Sequence, residues 1–178
     1  MYREAHMHIV PYNPEWPTMF VAEKDRLLVI VESHVETIEH IGSTSVPGLA
    51  AKPVIDIIIG VDSLQAADTH CLTPIQSLGY EYIQAFEKSM PRRRYFRKSD
   101  ETGLRTHQIH LWEREDSEYE RHMLFRDYLR AHPHEAADYE RVKRDLMGKH
   151  NSVGDYTDAK SAFIAPCQQR AYAWKRSR

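Results

Sequence analysis

Residues 53–61 read PVIDIIIGV, and this run constrains the fold more than any other stretch of the chain. Val54, Ile55, Ile57, Ile58 and Ile59 place apolar side chains on both alternating sides of an extended strand. A half-exposed strand alternates apolar with polar residues, so a nearly unbroken run calls for cover on both faces. Helices layered against a sheet supply that cover, which points to a mixed α/β architecture. Asp56 interrupts the run. An ionised carboxylate in a low-dielectric strand costs several kcal/mol unless a cation or hydrogen-bond donors offset it. Two readings stand. Asp56 lies near a strand end and bonds a neighbouring loop, or it holds a divalent metal and takes part in chemistry.

The rest of the chain provides the layers. Asn13 before Pro14 reads as a helix start, and Trp16, Phe20, Leu27 and Val31 then share one side of a helix to about Ser33. Residues 35–41 read as a strand, followed by a GSTSVPG loop. Ser63 suits the cap of a helix that reaches Leu78, with Pro74 interrupting it and Gly79 at its end. Residues 80–84 form a short strand, and residues 93–97 and 104–112 pair as a hairpin turning at 100–103. From residue 117 the pattern becomes helical, with segments at 117–131, 134–149 and 157–174. The expected organisation is one domain over 1–178, with a core to about residue 115 and a helical lobe from about 116 to 178.

Charge and cysteines narrow the function classes. A formal net charge of −2 gives no global field toward nucleic acid or a membrane surface. The apolar runs are too short to span a bilayer, and the first residues, MYREAHMHIVPYNPEW, lack the pattern of a secretory signal. Cys71 and Cys167 are far apart, which excludes a disulfide framework or a zinc ribbon. A cytoplasmic protein is expected, and nothing in the pattern sets its oligomeric state.

Several residues beside Asp56 carry chemical potential. Gly42 and Gly48 allow close backbone approach. Ser43, Thr44 and Ser45 offer hydroxyl and N–H donors, so the loop reads either as an anion nest or as an ordinary turn. Lys52 lies four residues before Asp56, about 13 Å along an extended strand. Arg93, Tyr95 and Arg97 share one strand face, suited to bidentate phosphate contact or to a solvated edge. His107 and His110 are three apart on a strand and point to opposite faces. His110 shares its face with Gln108 and is expected to be the closer partner of Asp56, as a metal ligand, a general base or a satisfied histidine.

A Gly-Ser loop after one strand and an acid in the next is the layout of the polymerase-β-like nucleotidyltransferase superfamily. The string EHIGSTSVPGLAAKPVIDI resembles the signature of the GrpB family within it, as do RRRYFRK, HQIHLW, FRDYLRAHPHEAADYERVKRDL and YTDAKSAFI. The resemblance runs from Val10 to Phe163. It implies a nucleotidyltransferase-like mixed β-sheet core with flanking helices and a C-terminal helical lobe. It further implies a nucleotide or phosphorylated small molecule as ligand, held by Gly42, Ser43, Thr44, Ser45, Lys52 and Arg93. Arg126, Lys143 and Lys160 match recurring lobe positions that reach phosphate. Asp56 and His110 are the expected catalytic pair, and Asp56, His107 and His110 the expected metal ligands. Some family members are fused to dephospho-CoA kinase.

The chain departs from the superfamily at Ile58, where acid-x-acid spacing would place a second carboxylate. Magnesium prefers oxygen ligands, whereas histidines suit manganese or zinc. Either the metal has changed or two-magnesium chemistry is gone. The expected function is therefore nucleotide binding with metal-dependent phosphoryl or nucleotidyl transfer. The alternative is a non-catalytic nucleotide- or coenzyme-A-binding module, and a third reading is a metal-dependent hydrolase.

Overall fold

The computed structural model describes residues 8–146 and 153–178, with side chains described to 146 and from 161 onward. Helix α1 (Trp16–Val31) leads to strand β1 (Thr37–Ile41), and strand β2 (Ile55–Val61) follows the glycine-serine loop. Helices α2 (Leu64–His70) and α3 (Leu72–Ser77) precede the short strand β3 (Glu81–Tyr82). Strands β4 (Arg94–Ser99) and β5 (Arg105–Glu113) form the hairpin. Helices α4 (Ser117–Ala131), α5 (Pro133–Leu146) and α6 (Val153–Arg176) make the lobe. Asn13 does not cap α1. Its Oδ1 accepts from the Glu15 N–H at 2.9 Å, one turn ahead of the helix. The expected helix over 63–78 breaks at Cys71 into two short ones. Thr157 falls within α6 rather than at its start.

The five strands are ordered β1-β2-β5-β4-β3, with β2 and β5 parallel and the other pairs antiparallel. Side-chain alternation divides the sheet into two chemically distinct faces. Ile55, Ile57, Ile59 and Val61 of β2, with Ile38, Phe96, Ile109 and Leu111, pack against α1, α2 and α3 in the main core. On the opposite face Ile58 joins Ile41, Trp112 and Tyr119 in a smaller cluster beneath α4. Both faces of β2 are thus covered, as its apolar run requires. Asp56 belongs to the α4 face at the start of β2, paired with Ile41, and its side chain stays 21% exposed.

The lobe has its own core, and two residues of the glycine-serine loop complete it. Val46 and Leu49 are buried with Leu124, Leu129, Tyr139, Cys167 and Ala171. The loop is therefore held between sheet and lobe. Lys98 of β4 faces His107 of β5 but Ser99 faces Arg105, so Thr106 is one residue extra in β5. This β-bulge re-aims the strand. It puts Arg105 on the face of Ser99 and Arg97, where simple alternation from His107 would put it on the other.

Candidate functional site

Register brings the site together. Asp56 pairs with Ile41 on one side and with Gln108 on the other, while His110 and Tyr95 are paired and Gln108 faces Arg97. On that α4 face Asp56, Arg97, Gln108 and His110 are half-buried, while Ile41 and Tyr95 are buried. The Asp56 side chain is 21% exposed and that of His110 13%. Gly42, the residue after β1, has φ +69°, and a Cβ there would fall 2.8 Å from the Asp56 Cγ. The carboxylate thus rests against bare backbone, and any side chain at position 42 would displace it.

A line of hydrogen bonds runs across three strands from this carboxylate. Gln108 Nε2 donates to Asp56 Oδ1, and Gln108 Oε1 accepts from the Tyr95 hydroxyl at 2.6 Å. Arg97 Nε donates to the same hydroxyl at 3.4 Å. The donor for Asp56 that sequence reasoning left unassigned is Gln108. Its signal was the shared face with His110. His110 Nε2 lies 4.0 Å from Asp56 Oδ1, and its Nδ1 is buried without a hydrogen-bond partner. Burial, then the neighbouring His122, Arg93 and Arg121, push the His110 pKa well down, so the ring is neutral near pH 7. His122, 5.5 Å away ring to ring, is lowered to about 4 by burial and by Arg121.

The basic run separates by partner. Arg92 pairs with Asp116 at 3.0 Å, Arg94 with Asp68 at 2.6 Å and Lys98 with Glu23 at 2.7 Å. Arg93 and Arg97 instead lie over aromatic rings. Their guanidinium carbons are 4.8 and 5.2 Å from the Tyr95 centroid and 5.6 and 5.2 Å from that of Phe86. Such stacking fixes a guanidinium while leaving its N–H edge available.

The other expected residues are placed as follows. Ser43 Oγ accepts from Lys143 Nζ at 3.1 Å, and the same ammonium donates to the Ala50 carbonyl at 2.5 Å. Lys143 is thus brought to the loop, but from inside, 3% exposed. The Thr44 hydroxyl donates to the Val54 carbonyl at 3.2 Å and meets His40 Nε2 at 3.0 Å. Ser45 Oγ donates to the Gly42 carbonyl at 2.7 Å. These two hydroxyls shape the turn. Lys52 is half-buried in the approach to β2. Arg126, 8% exposed, donates to Glu39 Oε2 at 2.9 Å and to the His40 carbonyl at 3.2 Å, joining α4 to β1. His107 is on the core face of the sheet, where Glu23 and Lys98 influence its charge, so it is not brought to Asp56. The Lys160 side chain lies outside the described residues.

These donors do not fit a two-metal centre. Ile58, at the position of the missing acid, is fully buried with Ile41, Trp112 and Tyr119. Among the described residues no three His, Cys, Asp or Glu side chains converge to hold a metal ion. No catalytic step through such a centre follows from this arrangement. A separate groove of about 1060 Å³ runs between α4 and the end of α6, lined in part by Tyr119, Met123, Asp127, Arg130 and Trp174.

Comparison with known proteins places this geometry in a family. The model of the family described as GrpB protein matches residues 6–170. "UPF0157 protein YqkA" of Bacillus subtilis strain 168 is 37% identical over 179 residues, which take in 100% of this chain and 51% of that protein. The chain therefore spans about half the length of that relative. A protein named "Dephospho-CoA kinase" from Mycolicibacterium paratuberculosis is 32% identical over 196 residues, covering 96% of this chain and 47% of that protein. The crystal structure of conserved protein GrpB from Enterococcus faecalis superposes with a TM-score of 0.82 at 36% identity, covering 92% of this chain and 96% of that one.

Proposed function

Because the chain belongs to the GrpB family, we propose that the accessible part of its sheet face binds a nucleotide or another phosphorylated small molecule. The observation that carries this reading is the grouping of ring-stacked arginines with a neutral histidine and a carboxylate on one half-buried strip of sheet. The name of the mycobacterial relative is compatible with a nucleotide-like ligand. Binding without chemistry is the leading form of this reading, since Ile58 is built into an apolar cluster and leaves one acid on β2.

A second reading, phosphoryl or nucleotidyl transfer, draws on His110. Its ring is neutral and 4.0 Å from Asp56, which places it to receive a proton from a hydroxyl held by that carboxylate, but the burial that lowers its pKa makes it a weak base. The test is thermal unfolding with ATP, GTP, CTP or coenzyme A, each with and without magnesium, manganese or zinc. A ligand at about 100 times its Kd stabilises by about 2.7 kcal/mol. Stabilisation indifferent to metal, without turnover, is the expected result. Metal-dependent stabilisation and turnover, both lost in Asp56→Asn, would move the assignment to the transferase. No response to any of these ligands would overturn both.

A further inference from the structure

We infer that the ligand lies across the sheet with its phosphoryl group against Arg93, Arg97 and Arg105 and a hydroxyl or amino group at Asp56. This orientation rests on the functional reading above. It reverses the expected one, in which the Gly42–Ser43 turn holds phosphate.

Four observations support it. First, the bulge at Thr106 turns Arg105 onto the face of Arg97, and Arg93, just before β4, lies over the Tyr95 ring on that face. Three half-buried guanidinium groups therefore gather on neighbouring strands. Second, Arg93 and Arg97 are braced over Phe86 and Tyr95, and the Arg93 Nε is buried without a partner. Braced guanidinium edges match the oxygens of a phosphoryl group. Third, the cluster is a standing electrostatic cost. Burial, the largest cause, and the charge of Arg97 disfavour the charged forms of Arg93 and Arg105. Tyr95 and Glu118 at Arg93, and Tyr95, Asp56 and Glu81 at Arg105, act the other way, and a guanidinium stays protonated in proteins. A bound dianion relieves that repulsion.

The fourth concerns the opposite end. The Asp56 carboxylate lies against Gly42, so a phosphate seated on that turn would meet a negative charge. An ionised carboxylate is an acceptor only, so the group it selects is a donor. Asp56 on β2 and Arg97 on β4 are two strand spacings apart, about 10 Å between backbones, and the long arginine side chains shorten that gap. The span suits a compact phosphate ester bearing a hydroxyl or amino group, such as the sugar-phosphate part of a nucleotide.

Isothermal titration of the full chain with inorganic pyrophosphate, ribose phosphate, ribose and ATP tests this. Pyrophosphate and ribose phosphate are expected to bind and ribose to fail. Arg105→Gln and Arg97→Gln should each weaken both phosphorylated ligands about tenfold or more. Asp56→Asn should weaken ribose phosphate while leaving pyrophosphate unchanged or tighter. Arg105→Gln should also keep or raise the melting temperature of the free protein, which a purely structural arginine would not do. If ATP binding survives both arginine variants and falls about tenfold in Ser43→Ala, the orientation is wrong and the functional reading stands. If sodium chloride at matched ionic strength stabilises the protein as well as pyrophosphate does, the arginines form no site and the inference is overturned. If no phosphorylated compound binds, the inference and the functional reading fall together.

Discussion

Gly42 and Asp56 act as one unit at the residue scale. A positive φ and the absence of a Cβ let the backbone close over the carboxylate, and Gln108 supplies the donor that its burial demands. Gly42→Ala should therefore lose about 1–3 kcal/mol through left-handed strain and the forced movement of Asp56. Urea midpoints measure this, and a variant as stable as the parent would show that the carboxylate is free to swing away. The acid in the apolar run was legible from the sequence, and so was the opposition of His107 and His110, because alternation along a strand is a local property. Gln108 as the partner of Asp56 was not, since that contact depends on which strand lies next to β2 and in what register.

At the scale of elements, the lobe determines the shape of the loop. Val46 and Leu49 enter the lobe core, Arg130 Nε donates to the Ser45 carbonyl at 2.9 Å, and Glu140 accepts from the Ala50 N–H at 2.9 Å. Lys143 adds its bonds to Ser43 and Ala50. Replacing Lys143 with Met keeps the volume but removes these donors, and should cost about 1–3 kcal/mol. Amide exchange over 42–51 should quicken more than exchange in β2, and equal protection in both segments would argue against this role. Helical period in the sequence located α1, α4 and α5 closely. It put the interruption at Pro74 rather than at Cys71, since the turn there leaves α2 and α3 on the same apolar side of the sheet and hardly disturbs the spacing of Ala67, Cys71 and Ile75.

The whole molecule carries a pH dependence through its buried histidines. His40 is stacked on Phe20, 4.8 Å between ring centroids, and is lowered from 6.5 to about 4 by burial and by Arg130 and Arg126. His122 is lowered to about 4 as well, by burial and Arg121. Between pH 4 and 6.5 the unfolded chain binds more protons at these sites than the folded one. Stability then rises with pH across that window and is lost as pH falls through it. Each histidine contributes up to about 3 kcal/mol. Urea denaturation at pH 7 and pH 5 should show the loss, and His40→Gln with His122→Gln should reduce it, with His110 and His107, also lowered by burial, keeping a share. An unchanged slope in the double variant would assign the dependence to other groups.

Sequence alone determined the layered α/β class and the isolation of Asp56. Both follow from the identity and spacing of side chains along one segment, where covalent geometry fixes which residues share a face. Tertiary structure decided which cations are spent and which are gathered. Arg126 and Lys143 match expected phosphate-binding positions, but α4 and α5 turn them inward to hold β1 and the loop. Arg105 attracted no notice in the sequence, and one extra residue in β5 brings it beside Arg97. A long cationic side chain finds its partner across elements, so strand order, register and helix docking determine its role, and none of these is written in the local pattern.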